Sequence, residues 1–209
     1  MGKAAETRRY IIEKAAPVFN RKGIAGTTVD DVLSVTGMAK GGVYGRFVNR
    51  QELAVAAVEF LLAEVRRRMA DVMDREISAT RKLLAYMNDQ LDPVHYAIEG
   101  GCPILNFSVE ADDTDPVLKE KLKFVIEIVQ QKLVTVIQQG IDAGELSADI
   151  NACDFALKMF AMLEGGIMIS RVSGNVKYMT GLIRMLKAEL SSYILHPVLT
   201  DCVVENECR

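Results

Sequence analysis

The chain has 209 residues, half of them hydrophobic, a formal net charge of −3, four cysteines and two histidines. That length buries a sizeable core in one large or two small domains. Its apolar runs fall well short of the roughly 18–20 residues that span a bilayer. The opening residues MGKAAETRRY carry no apolar signal region, so a soluble, cytoplasmic protein is expected.

In chain order, a first helix is expected over about Ala5–Arg21, with Ile11, Ile12, Ala15 and Phe19 on one face. Pro17 lacks an N–H for Glu13 and should bend its last turn. Two short helices joined by a tight turn follow within residues 23–50. Thr27 and Thr28 open the first of them, a hydroxyl there accepting from a free N–H of the first turn. Val29, Val32 and Leu33 supply its apolar stripe, and Gly37, able to adopt a left-handed conformation, ends it. Lys40-Gly41-Gly42 begins the second, with Val43 and Phe47 four residues apart on one face. Gly41, Gly42 and Gly45 leave the rest of this helix nearly bare, while Lys40, Tyr44, Arg46 and Arg50 offer cations and a phenol. Such a helix sacrifices backbone stability, which makes sense where a broad partner must approach closely. The major groove of DNA is one such partner.

The charge is unevenly divided. Residues 1–50 hold nine Lys/Arg against four Asp/Glu, a balance of +5, so the remaining residues carry −8. A basic head on an acidic body is the asymmetry expected when one end meets phosphates. Asn49 is placed to cap a long helix running through residues 51–76, with Glu52 completing a capping-box variant; this helix is read as a rigid connector.

The body is expected over residues 77–198. A helix through RKLLAYMNDQL stops at Asp92-Pro93, and Pro103 begins another after Gly100-Gly101. Glu110-Ala-Asp-Asp-Thr-Asp resembles an aspartate-rich metal motif, but its spacing is wrong and no second acidic cluster accompanies it. Asp115-Pro116 reads instead as a cap and first residue of the next helix, which ends at Gly144. Asn151 and Asn175 are candidate caps for the last two helices. In the final one, Met179, Leu182, Ile183, Leu186, Leu190, Tyr193 and Ile194 form a stripe serving equally for a core or for a dimer seam. Residues 199–209 are expected to be a flexible tail, with Cys202 and Cys208 in it. Cys153, in an apolar helical stretch, is expected to be a small core residue. No metal-ligand spacing, no cofactor motif and no catalytic constellation is visible, and no enzyme is expected.

The ordered pattern Ala15-Ala16-Pro17-Val18-Phe19, Arg21-Lys22-Gly23, Thr27 to Val32, Gly37, Lys40 to Tyr44, Phe47, Arg50 and Leu53 closely resembles the DNA-binding domain of the TetR family of bacterial repressors. The resemblance implies an all-α fold with a helix–turn–helix head and a C-terminal ligand-binding and dimerisation body. It also implies a homodimer, here through residues 152–195, binding a palindromic operator and released by a small-molecule effector. Carried over by position, it puts Thr28, Lys40, Gly41, Tyr44 and Arg50 near phosphates and Gly42, Gly45 and Arg46 closer to base edges. Arg50 stands where relatives usually have Lys, and Gly42 and Gly45 where many carry larger residues, so direct readout rests on Lys40 and Arg46.

For the effector, an apolar lining is available from Met87, Ile104, Phe107, Phe124, Met159, Met162 and Met168, although methionine at helical spacing is also ordinary core. Cys102, at the start of a helix where free N–H groups favour a thiolate, is a more pointed candidate. The segment from Gly101 through Glu110 resembles a pattern in a subset of the family, some members of which sense electrophiles through a cysteine. The alternative is a small residue filling a helix entry, with Asn106 and Glu110 making internal hydrogen bonds. Rival readings are a helical enzyme and a protein-interaction module that kept the head as a vestige.

Overall fold

The computed structural model describes residues 2–195, so the expected tail and His196, Cys202 and Cys208 lie outside the described residues. Nine helices follow one another, without a strand among the described residues: α1 Lys3–Gly26, α2 Val29–Thr36, α3 Lys40–Tyr44, α4 Arg50–Met73, α5 Ala79–Asp89, α6 Pro103–Ala111, α7 Pro116–Asp142, α8 Ala152–Ser173 and α9 Lys177–Tyr193. A single antiparallel bridge, Leu146 to Ile194, ties the α7–α8 loop to the end of α9. None of these helices is long and apolar enough to cross a membrane.

Local chemistry sets most helix starts. Thr28, Asn49, Ser78, Asp115 and Asn151 each accept a hydrogen bond from a first-turn N–H of the helix they precede. Each such cap is worth about 1 kcal/mol. Pro103 and Pro116 occupy first-turn positions, where a missing N–H costs nothing. Asp115 is therefore engaged as a cap, through the N–H groups of Val117 and Leu118. Asn175 accepts from the N–H of Lys177, although the helix proper starts after Val176. Glu145 adds a long-range cap, its carboxylate accepting from the N–H groups of Ala79 and Thr80 at 3.2 and 3.0 Å.

Two boundaries differ from the sequence expectation. The break in α1 falls at Gly23, with φ 74° and ψ 170°, and Pro17 stays inside the helix. The last turn is interrupted where glycine can reach a left-handed φ, which Pro17 cannot. The second reader helix has only five residues, so Phe47 lies beyond it, in the turn that leads to α4, yet remains buried beside Val43.

One continuous core runs through the molecule. Ile11, Ala15, Phe19, Val32, Val43, Phe47 and Leu53 close the head. The buried face of α4 continues through Ala57, Val58, Leu61 and Leu62 to Met69 and Met73, joining head to body without a break in the packing. In the body, α5, α7, α8 and α9 enclose Leu83, Met87, Leu118, Leu133, Ile137, Met159, Ile183 and Leu186. The apolar stripe of the last helix thus points inward: Met179, Ile183, Leu186 and Leu190 are buried. A different set of large apolar side chains on α8 and α9, namely Leu157, Met168, Ile169, Val172, Tyr178 and Met185, is left exposed.

Candidate functional site

The head presents one exposed surface built from the α2–α3 turn and α3. Gly37 closes α2 with φ 64° and ψ 17°, its N–H donating to the Leu33 carbonyl, and the chain reverses there in the manner only glycine adopts cheaply. The start of α2 is fixed by a reciprocal pair: the Asp31 N–H donates to Thr28 Oγ1 at 3.1 Å, and the Thr28 N–H donates to the Asp31 carboxylate at 2.9 Å. The Lys22 ammonium first, with the Thr28 N–H after it, holds the Asp31 carboxyl down at about 2.

Most cations of the head are already engaged. Arg8 pairs with Glu52 at 3.0 Å and lies over the Phe47 ring, Arg9 pairs with Glu13, Arg21 with Glu99 and Lys22 with Asp31. Among the described residues, Lys40 and Arg46 are both exposed, flank the glycines, and have no carboxylate within ion-pair distance. Gly41 and Gly42 are exposed as well, and the space above Gly41 is open. Gly45 is exposed but has a structural duty too: a Cβ there would sit 2.8 Å from the Gly41 carbonyl oxygen. Local packing therefore accounts for one of the bare positions.

Two of the residues assigned to phosphates, Arg50 and Tyr44, do not present a free polar group to this surface. The Arg50 guanidinium donates to the carbonyl oxygens of Ile24 and Thr27, at 2.5 and 2.6 Å. It satisfies carbonyls at the end of α1 rather than standing free, because the turn after Gly23 leaves those acceptors pointing at α4. The Tyr44 hydroxyl is buried without a partner, and burial raises its pKa while the nearby Arg50 charge opposes the rise. Thr28 is exposed, with its hydroxyl donating to Asp31.

In the body, the effector candidates separate into an inner and an outer set. Met87, Ile104, Phe107 and Met159 are buried and Met162 is half-buried. Phe124 is 59% exposed on the outer side of α7, and Met168 is exposed on α8, so neither lines an interior site. An open groove of about 370 Å³ does lie on α6 and α7, lined by Ser108, Asp112, Lys119, Leu122, Lys123, Ile126 and Glu127, none of which was anticipated.

Cys102 caps α6 but is only 1% exposed, and its thiol donates to Glu164 Oε1 at 3.2 Å. Burial above all, and then the Glu164 carboxylate, push the thiol well above its ordinary value. The N–H groups of Leu105 and Ile104 act in the opposite sense and do not prevail. The thiolate expected at a helix start is thus absent: desolvation outweighs the helix terminus. Cys153, expected in the core, is exposed at the start of α8 because the helix turns that position outward.

Around Cys102 lies a polar cluster that the sequence reading missed. Burial holds the Glu164 carboxyl up at about 7, and its Oε2 is buried without a partner. Tyr86 and Tyr96 are raised by burial, with charge from Glu164 and Cys102 contributing to both. The available signal was a single carboxylate in an apolar helical run, Met162-Leu163-Glu164-Gly165-Gly166-Ile167. Among the described residues no group of acidic, Cys or His side chains is arranged to hold a metal ion.

Two family models match the chain. Residues 11–57 match bacterial regulatory proteins of the tetR family, and residues 79–186 match the tetracyclin repressor-like C-terminal domain. Among curated proteins, the transcriptional repressor DhaR of Mycobacterium sp. (strain GP1) is 23% identical over 170 residues, covering 80% of this chain and 84% of that protein. The transcriptional regulator TtgR of Pseudomonas putida is 27% identical over 169 residues, covering 78% and 79%. Among solved structures, a TetR-family regulator from Cytophaga hutchinsonii is 32% identical with a TM-score of 0.87, covering 94% of this chain and 98% of that one. A TetR regulator from Chloroflexus aurantiacus is 31% identical with the same TM-score of 0.87, covering 93% and 98%.

Proposed function

The chain belongs to the TetR family of DNA-binding transcriptional regulators, and from that premise we propose that it is a repressor that binds a palindromic operator as a homodimer and leaves it when a small-molecule effector enters the body. The observation that carries the reading is the pair of cations without a carboxylate partner, Lys40 and Arg46, flanking the glycines of α3, while Arg8, Arg9, Arg21 and Lys22 of the head are paired with carboxylates. A short helix with a bare face sits deep in a groove. Its cations then reach phosphate oxygens or guanine edges. Thr28 and the exposed backbone at Gly41, Gly42 and Gly45 complete the contact surface, and Tyr44 joins it if the bound form uncovers its hydroxyl. Residues 1–50 are the reading head, 51–76 the connector and 77–198 the body.

The dimer seam falls within residues 152–195, on the exposed side chains Leu157, Met168, Ile169, Val172, Tyr178 and Met185. That much apolar surface on two adjacent helices marks an interface rather than a free face, and a twofold axis there would set two heads on one palindrome. The effector belongs beside Glu164. A buried carboxyl oxygen lacking a partner is a position that a hydrogen-bond donor on a ligand would fill. Cys102, whose thiol donates to Glu164, and the candidates Met87, Phe107, Met159 and Met162 supply the apolar wall on this reading. Its binding shifts the chain only in so far as it prefers the form that cannot hold DNA.

The test is a binding titration with duplexes selected by the full-length chain from a randomised library. Selection of a palindrome, with affinity falling steeply as salt rises, is expected. Lys40→Ala should reduce the salt slope by about one, while Arg46→Ala should cost about 1–3 kcal/mol and relax the preference at one base position. Binding indifferent to sequence, or unchanged in both variants, refutes the assignment.

A further inference from the structure

The head meets the body through more than the connector helix. Because Gly23 interrupts α1, residues 24–26 form a separate final turn. The N–H groups of Ile24 and Ala25, which begin that turn, donate to the carboxylate of Glu110 in the last turn of α6, at 2.8 and 2.7 Å. On the carbonyl side of the same turn Arg50 donates to the carbonyls of Ile24 and of Thr27, the residue that follows it. The turn is thus gripped between an anion from the body and a cation from α4, each at the end where the local peptide dipoles favour it. It leads directly into Thr28 and α2, so its orientation decides where the reader begins. The close approach depends on Gly23, since a Cβ there would lie 2.9 Å from Glu110 Oε2.

One turn earlier on α6, the Asn106 amide donates to the backbone carbonyl and side-chain oxygen of Asn20 and to the Gly100 carbonyl. The Asn20 amide in turn donates to the carbonyls of Glu99 and Gly101. A nine-residue helix therefore carries Cys102, bonded to Glu164, at one end and the head's turn at the other. We propose that Glu110 is a positioning residue for DNA binding: through the 24–27 turn it makes α6 a second link, parallel to α4, that fixes the angle of the reader segment. This rests on the operator-binding reading above.

The test uses the full-length chain with Glu110→Gln, Glu110→Ala and Asn106→Ala. Each is titrated against a duplex selected by the wild type and against the same duplex with its half-sites moved apart by one base pair. A fixed head angle predicts that respacing weakens the wild type by about tenfold or more. Glu110→Gln, which keeps one acceptor and the side-chain shape, is expected to weaken parental binding about fivefold and to shrink the respacing penalty to roughly threefold or less, because an untethered head tolerates either spacing. Amide exchange in residues 24–28 should quicken by about tenfold while α8 and α9 stay unchanged. Any variant that has merely lost folded protein weakens on both duplexes alike, and that outcome in Glu110→Gln overturns the proposal. So does unchanged spacing dependence alongside faster exchange. A wild type that binds no duplex, with exchange responding as stated, would instead remove the operator reading and take the positioning role with it.

Discussion

Replacing Glu164 with Gln should make the stability of this protein less sensitive to pH, with a magnitude and window fixed by one buried carboxyl. In the unfolded chain the group ionises near its ordinary 4.5, and in the fold burial raises it to about 7. Below the lower value it is protonated in both states and its contribution to stability is intact. Between the two values the unfolded chain releases a proton that the folded chain keeps, so stability falls as pH rises. Above the upper value the carboxylate is charged in both states and the cost is constant. At ~1.4 kcal/mol for each pH unit, the gap amounts to roughly 3 kcal/mol. Gln preserves the shape and an acceptor for the Cys102 thiol but does not titrate. Urea unfolding of both proteins at one protein concentration, from about pH 4.5 to pH 8.5, gives two stability profiles. Their difference should swing by about 3 kcal/mol in favour of the variant across that range. A difference that is flat to within about 0.5 kcal/mol would mean that Glu164 titrates as it does in water, and the reading of an enclosed polar cluster would fail.

Three further outcomes follow from contacts described above. Arg50→Ala removes two charge-assisted bonds to α1 carbonyls and should lower stability in urea by about 2 kcal/mol while leaving the salt slope of DNA binding unchanged; a slope reduced by about one would place Arg50 on a phosphate instead. Val172→Glu combined with Met185→Glu puts like charges on the exposed apolar face of α8 and α9, and sedimentation should then report a monomer that retains its helicity. An unchanged sedimentation coefficient would move the dimer seam elsewhere. Brief alkylation with iodoacetamide followed by peptide mapping should modify Cys153 and spare Cys102, whose thiol is buried and stays protonated; equal labelling of the two would contradict the burial assigned to it.

The features legible in the sequence are those governed by near neighbours. Thr28, Asn49, Asp115 and Asn151 cap the helices they were expected to cap, and Gly37 turns the chain through a left-handed conformation, since each depends on groups within a few residues. The all-α fold and the family could be read from the ordered motif of the head. Long-range partners could not. Arg50 looks like a phosphate ligand until α1 is folded back against it, after which its donors meet Ile24 and Thr27. Cys102 looks like a thiolate at a helix start until burial is taken into account. Phe124 and Met168 match the pocket in composition, but helical phase turns both outward. The last stripe on α9 was ambiguous between core and seam, and only the packing of α8 and α5 against it shows that Met179, Ile183, Leu186 and Leu190 belong to the core.

The connector has a further property that follows from its length. Its 24 residues, at 1.5 Å each, span about 36 Å. A rigid rod of that length is a lever: pivoting it by about 5° carries its far end through roughly 3 Å, close to the rise of one base step along a DNA strand. The disturbance needed near the pivot is far smaller than the diameter of an atom. On the proposed reading, a molecule too slight to unfold or visibly distort the body would therefore still put two heads out of step with their half-sites, because DNA itself supplies the fine ruler against which the displacement is measured.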